Sequence, residues 1–246
     1  MAHFTEEDLT GQAFHVLTGV TFREIGFEGV ALRGVDVVDL DISGEIGKLV
    51  VNGVEVGPYV EAELDRRYPD RAAMRPTEPD GFRSAWDIVE RFWDDTVARA
   101  RRLDPAALHA SVGGEWSFVQ TLRHLVFATD AWVRRAVLGD PAPWDALGLP
   151  WGGMPDTPGV PNDPMAQPTL DTVLALRRDR MATVRAVVDG LTEELLAADT
   201  VPVEGPGWPE PRSYPVRTCL QVVLNEEWEH HLFAVRDLAV LESQGV

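Results

Sequence analysis

Asn225-Glu226-Glu227-Trp228-Glu229-His230-His231-Leu232-Phe233-Ala234 places acids and imidazoles in the middle of an apolar helical run near the end of the chain. A helix turns about 100° per residue, so Glu227 and His231 fall on the line held by Leu220, Leu224, Val235, Leu238 and Glu242. An unpaired carboxylate on an apolar stripe is costly or is driven to protonate, so Glu227 calls for a compensating cation. Side chains at i and i+4 project to one face about 5–6 Å apart, within reach of one metal ion. His230 lies about 100° to the side, flanked by Val223 and Asp237, and is the weaker ligand of the two histidines.

A metal needs a third protein ligand, and the remaining histidines are His3, His15, His109 and His124. Only His124 sits inside a long helical pattern, beside Thr121, Ala128 and Ala131, whose small side chains leave room for a cavity. His124, Glu227 and His231 on facing helices would give two nitrogens and one oxygen with open positions. That borderline set suits Zn²⁺, with Ni²⁺ or Fe²⁺ as alternatives. A buried Glu227–His231 helix pair, with His124 as a hydrogen-bonded core histidine, is the competing reading.

Three more helical patterns precede this one. The first runs from about Arg83 to Arg102, with Trp86, Val89, Phe92, Trp93 and Val97 on one side. The second opens on the capping box Ser117-x-x-Gln120 and runs to about Leu138 before Gly139. A third spans about Thr169–Asp189 and stops at Gly190, and the last opens after Tyr214 with Pro215 in its first turn. Four amphipathic helices of this length imply a mainly α chain folded as a four-helix bundle over 81–246. Between the second and third lies the thirty-residue stretch 139–168, with eight prolines and the tryptophans Trp144 and Trp151. It is too long for a passive connection. With the Pro-rich stretch 201–215, which carries Trp208, it is expected to pack over one end of the bundle and line a pocket.

Residues 20–42 follow a different rule. Apolar pairs recur every five residues at Val20/Phe22, Ile25/Phe27, Val30/Leu32, Val35/Val37 and Leu40/Ile42, a period that fits neither strand nor helix. The spacing resembles the pentapeptide-repeat pattern, in which about twenty residues make one coil; a plain β-meander is the alternative. A small β appendage over 1–75 is expected, continued by an Asn52-Gly53 hairpin turn and a short helix at Tyr59–Arg67, with the boundary in the Pro-rich connector 75–81.

With His124 two turns into a helix that follows Trp116-Ser117, and a Glu-x-x-x-His pair in the last helix, the chain resembles the DinB/YfiT-like superfamily. That superfamily includes mycothiol-dependent maleylpyruvate isomerase and bacterial thiol S-transferases. The resemblance covers roughly Gly81–Glu242 and is carried by 115–132 and 225–242. It implies His124, Glu227 and His231 as metal ligands, and the Glu form at 227 is closer to the isomerase branch. Low-molecular-weight thiol chemistry, S-transfer or isomerisation with mycothiol or another small thiol as cosubstrate, is therefore the expected activity. A metal-dependent amide or ester hydrolase and a non-catalytic metal-stabilised scaffold are the alternatives. Pairing through bundle helices makes a homodimer one arrangement open to the chain.

The composition narrows the partners. Forty Asp and Glu against 22 Lys and Arg give a formal charge of −18, which opposes a phosphate backbone, and Lys48 as the one lysine leaves no polybasic cluster for anionic lipid. A small-molecule substrate, with neither nucleic acid nor membrane, is expected. Cys219 is the single cysteine and no signal-peptide pattern opens the chain, which fits a cytoplasmic protein. No phosphate-cradling glycine loop or nucleophile elbow is present.

Overall fold

The structure is a computed structural model that describes residues 3–5, 17–23, 26–44 and 46–244. His15 and Ile25, both named above, lie outside the described residues. The chain divides into two compact units, Met1–Leu49 and Val50–Val246.

In the first unit, strand β1 (His3–Thr5) pairs in parallel with β2 (Thr21–Arg23), His3 opposite Thr21. Along 26–44 the backbone forms no strand and bends at Gly29, Gly34 and Gly44, all at positive φ. Phe27, Leu32, Leu40 and Ile42 are exposed. The repeat expected there therefore forms no regular ladder among the described residues. One coil has no neighbouring coil on which to bury its apolar members.

The second unit opens on the hairpin of β3 (Val50–Val51) and β4 (Val54–Glu55). Asn52 and Gly53 both take positive φ, as a two-residue turn between twisted strands requires. Helix α1 (Gly57–Arg67) and a 3-10 turn (Pro69–Met74) follow. The expected boundary near 75 does not separate them from the helices, because Met74 is buried in the same core as Trp86 and Trp228, and Tyr68 meets Trp228 edge-on.

The remaining elements are helical: α2 (Pro79–Ala100), α3 (Phe118–Thr129), α4 (Leu170–Asp189), the short α5 (Glu193–Ala197) and α6 (Val216–Ser243). Each of the four expected long helices is present. α2 and α3 each pack against α4 and α6, and Phe82, Trp86, Val89, Leu122, Val184, Leu220 and Leu238 fill the space between them. The capping box forms as read: Ser117 Oγ accepts from the Gln120 amide, and Gln120 Oε1 accepts from the Ser117 amide. After Thr129 the helix widens into π turns over Asp130–Val137, a local change of pitch that re-aims its side chains. Among the described residues, no helix is long and apolar enough to cross a membrane.

Every residue of α3 from Thr121 to Thr129 is buried, because loops cover its outer face. Arg123, fully buried, donates to the carbonyls of Leu147, Asp163 and Ala166 and so pins the stretch 139–168 at three points. Arg135 does the same for the second Pro-rich stretch, donating to Val203 and Gly205 as well as to Pro141. The tryptophans complete the cover. Trp144 stacks on Phe127 with centroids 5.4 Å apart, and Trp208 meets both Trp151 and Trp132 edge to face.

Candidate metal centre

Glu227 is buried, 1% exposed, and it has a cation. Arg177 on α4 reaches it with both terminal nitrogens, at 2.8 and 2.7 Å, and Trp93 Nε1 on α2 donates a third hydrogen bond at 2.7 Å. The compensating charge inferred from the apolar stripe is thus a guanidinium. One helical turn on, Arg180 makes a second bidentate pair with buried Asp130. His231 turns the same way as Glu227, toward α2. Its Nε2 lies 3.0 Å from Thr96 Oγ1, and its ring stacks on Phe92 with centroids 4.0 Å apart. Burial pushes the His231 pKa down to about 4, so the ring is neutral near pH 7. The set His124, Glu227 and His231 is therefore not the one the structure brings together.

The adjacent line of α6 faces α3 instead. There His124, Glu226 and His230 offer one ligand atom each, all within 4.8 Å of one another. Glu226 Oε2 lies 3.3 Å from His124 Nε2 and 3.2 Å from His230 Nε2. On its other side, His124 Nδ1 donates to the Leu149 carbonyl at 2.9 Å, so Nδ1 carries a proton and Nε2 is the nitrogen turned toward Glu226. Leu149 is held in turn, its amide donating to the Arg123 carbonyl. The long loop thereby orients the ring of a helix residue, a support often found behind metal-binding imidazoles.

Burial works against the Glu226 carboxylate, yet hydrogen bonds and charge from His124 and His230 outweigh it and hold its pKa far below the usual range. For His230, burial is the larger influence, and the imidazole titrates below its ordinary value. An ionised carboxylate oxygen between two imidazole nitrogens is a donor set that a divalent cation would complete in place of the protons shared there. Side-chain exposures of 8% for His124, 29% for Glu226 and 15% for His230 leave one side open. Aromatic rings close the rest: Trp116 lies against both imidazoles, Phe127 beside His124 and Phe233 beside His230.

A comparison with protein families matches residues 88–234 to the DinB superfamily. The chain belongs to the DinB superfamily. No curated protein and no solved structure matches the chain. The matched stretch includes all three residues of the cluster, with the DinB chain's two Pro-rich covers between them.

Other polar and nucleophilic side chains fall outside the centre of this DinB chain. Arg236 pairs with Asp237 and Glu115, which leaves it committed within the protein. Cys219 is buried, and burial pushes its thiol up to about 11, so it is packing rather than a nucleophile. A cleft of about 800 Å³ lies away from the cluster, between Val137–Leu138, α4 and the start of α6. The sequence signal for the cluster was present all along: Glu226-x-x-x-His230 has the same i, i+4 spacing as Glu227-x-x-x-His231, one residue earlier.

Proposed function

We propose that this DinB chain is a metal-dependent enzyme of low-molecular-weight thiol chemistry, an S-transferase or isomerase, with α2, α3, α4 and α6 forming a DinB-type four-helix bundle. The observation that supports it is the convergence of His124 Nε2 and His230 Nε2 on one Glu226 oxygen, with His124 Nδ1 anchored on the Leu149 carbonyl. His124 Nε2, the Glu226 carboxylate and His230 Nε2 would hold the ion. Two nitrogens and an oxygen suit Zn²⁺, with Ni²⁺ or Fe²⁺ as alternatives. When bound, the ion supplies a positive charge that lowers the pKa of a small thiol such as mycothiol and readies it for attack on an electrophile.

The chain's own groups do the rest. The Leu149 carbonyl holds a His124 proton on Nδ1, on the side away from the centre. Trp116, Phe127 and Phe233 exclude water on the aromatic side, which strengthens charge interactions there. The partly exposed side of Glu226 is the approach left for a small-molecule substrate. No side chain at the centre is placed as a separate nucleophile, in keeping with an attacking group that comes from the cosubstrate.

Metal analysis of protein purified without a histidine tag tests the centre. Wild type is expected to carry stoichiometric metal, and His124→Ala, Glu226→Ala and His230→Ala to lose it. Turnover of a panel of electrophiles then tests the chemistry. Turnover that is indifferent to added thiol would refute the transferase and isomerase reading and leave metal-dependent hydrolysis.

A further inference from the structure

Trp116 stands immediately before the N-cap of α3 and is half-buried. Its ring lies 4.6 Å from the His124 ring, tilted by 40°, and 5.8 Å from the His230 ring, nearly parallel at 22°. The two imidazoles come from different helices, α3 and α6, with centroids 4.8 Å apart. Trp116 is thus one flat surface that both rings lean on. Phe127 and Phe233 each touch one imidazole, whereas Trp116 touches both.

The ring is held at both ends of its short segment. On its C-terminal side the capping box fixes Ser117, which is buried. On the N-terminal side, Glu115 pairs with Arg236 of α6, six residues past His230, and the Glu115 carbonyl accepts from Ser111 Oγ at 2.5 Å. Arg236 is itself held by Asp237 and lies over the Phe233 ring, 5.3 Å from its centroid. Gly113 and Gly114, both at positive φ, turn the chain back so that Glu115 and Trp116 can reach α6. A strap therefore runs from the start of α3 to α6 and crosses the His124–His230 pair.

We propose that Trp116, held by the Glu115–Arg236 ion pair, is a positioning residue of the metal centre that fixes the angle between the His124 and His230 rings. The inference rests on the His124–Glu226–His230 reading and deepens it. A metal ion needs both lone pairs directed at one point. The Leu149 carbonyl restrains His124, and the indole supplies a shared restraint for both rings. Groups that orient ligands in this way typically account for 10- to 100-fold in metal affinity.

Co²⁺ titration of metal-stripped full-length protein tests it, read by Co²⁺ absorption and by tryptophan fluorescence. Trp116→Ala is expected to weaken Co²⁺ binding roughly 10-fold or more, Trp116→Phe less, and Arg236→Gln a few-fold through the loosened strap. Trp116→Phe should also remove much of the fluorescence quenched by Co²⁺, since its indole lies against both the His124 and His230 rings. Circular dichroism and the melting temperature separate this from a folding defect, and the Phe variant keeps an aromatic ring should the Ala variant fail to fold. Equal Co²⁺ affinity and equal quenching in wild type and Trp116→Phe would overturn the inference while leaving the centre intact. Wild-type protein that takes no Co²⁺ would overturn the centre itself.

Discussion

Two Glu-x-x-x-His pairs overlap on α6, and one experiment separates their roles. Arg177→Met removes the guanidinium and leaves the Glu227 carboxylate, 1% exposed, with the Trp93 N–H as its remaining donor. Breaking a buried, bidentate pair from one side costs about 3–5 kcal/mol. For a unit of this size each kcal/mol lowers the melting temperature by about 2–4 °C, so the expected drop is roughly 6–20 °C. That is a large part of a total stability on the order of 5–15 kcal/mol. The double variant Arg177→Met/Glu227→Leu removes both charges and should recover most of the loss. Neither variant should change the metal content. Glu226→Gln should do the reverse: metal is released, while the metal-free protein loses less stability than Arg177→Met does, because no buried charge is left unpaired. Urea denaturation and elemental analysis on the same samples give both readings. Metal loss in Glu227→Gln with retention in Glu226→Gln would refute the assignment and restore the pairing of Glu227 with His231.

Other outcomes follow from the same geometry. A Cβ at Gly207 would lie 2.8 Å from Arg135 Cζ at a backbone φ of +149°, so Gly207→Ala should destabilise by about 1–3 kcal/mol, measured by urea unfolding. Arg123→Met should release the loop 139–168, seen as rapid proteolytic nicking there in protein whose helix content is unchanged. The His231 pKa is about 4 when folded against 6.5 in its ordinary state. The unfolded chain then binds more protons between those values, so this contribution is full above about pH 6.5 and lost as pH falls toward 4. With partial exposure it amounts to about 1–2 kcal/mol, and His231→Gln should flatten that limb of the stability curve. Cys219 should resist alkylation in the native protein at pH 8 and react on denaturation, since burial pushes its thiol up to about 11.

The helices were legible because their caps are local. Ser117 and Gln120, Thr169, Pro215 and Gly190 mark their ends within a few residues of the observed positions. Burial of Glu227 was legible as well, since an apolar stripe has a measurable period. What periodicity cannot supply is the identity of the facing helix. Two lines of α6 only about 100° apart meet different neighbours: one meets Trp93, Thr96 and Arg177, the other His124. That choice is made by how α2, α3 and α4 surround α6, which is a property of the packing. Arg177 gave no warning, because an arginine in the run Arg177-Arg178-Asp179-Arg180 reads as a solvated face. The pentad rhythm of 20–42 was equally plain, yet rhythm does not supply the neighbouring coil that would bury it.

The arginines under the two Pro-rich stretches balance an account of donors and acceptors. Each proline removes an amide hydrogen while keeping its carbonyl, so the eight prolines of 139–168 leave the segment with a surplus of acceptors that no strand or helix can use. Arg123 and Arg135 return donors in bulk, three hydrogen bonds apiece, from a side chain that cannot lose its proton. The cover's shape is thus encoded in the helix beneath it. The loops can vary in sequence as long as a few carbonyls arrive at those two guanidinium groups. The Leu149 carbonyl that fixes His124 inherits its position from the same arrangement, so the chemistry of the centre is carried by backbone atoms that no substitution can remove directly.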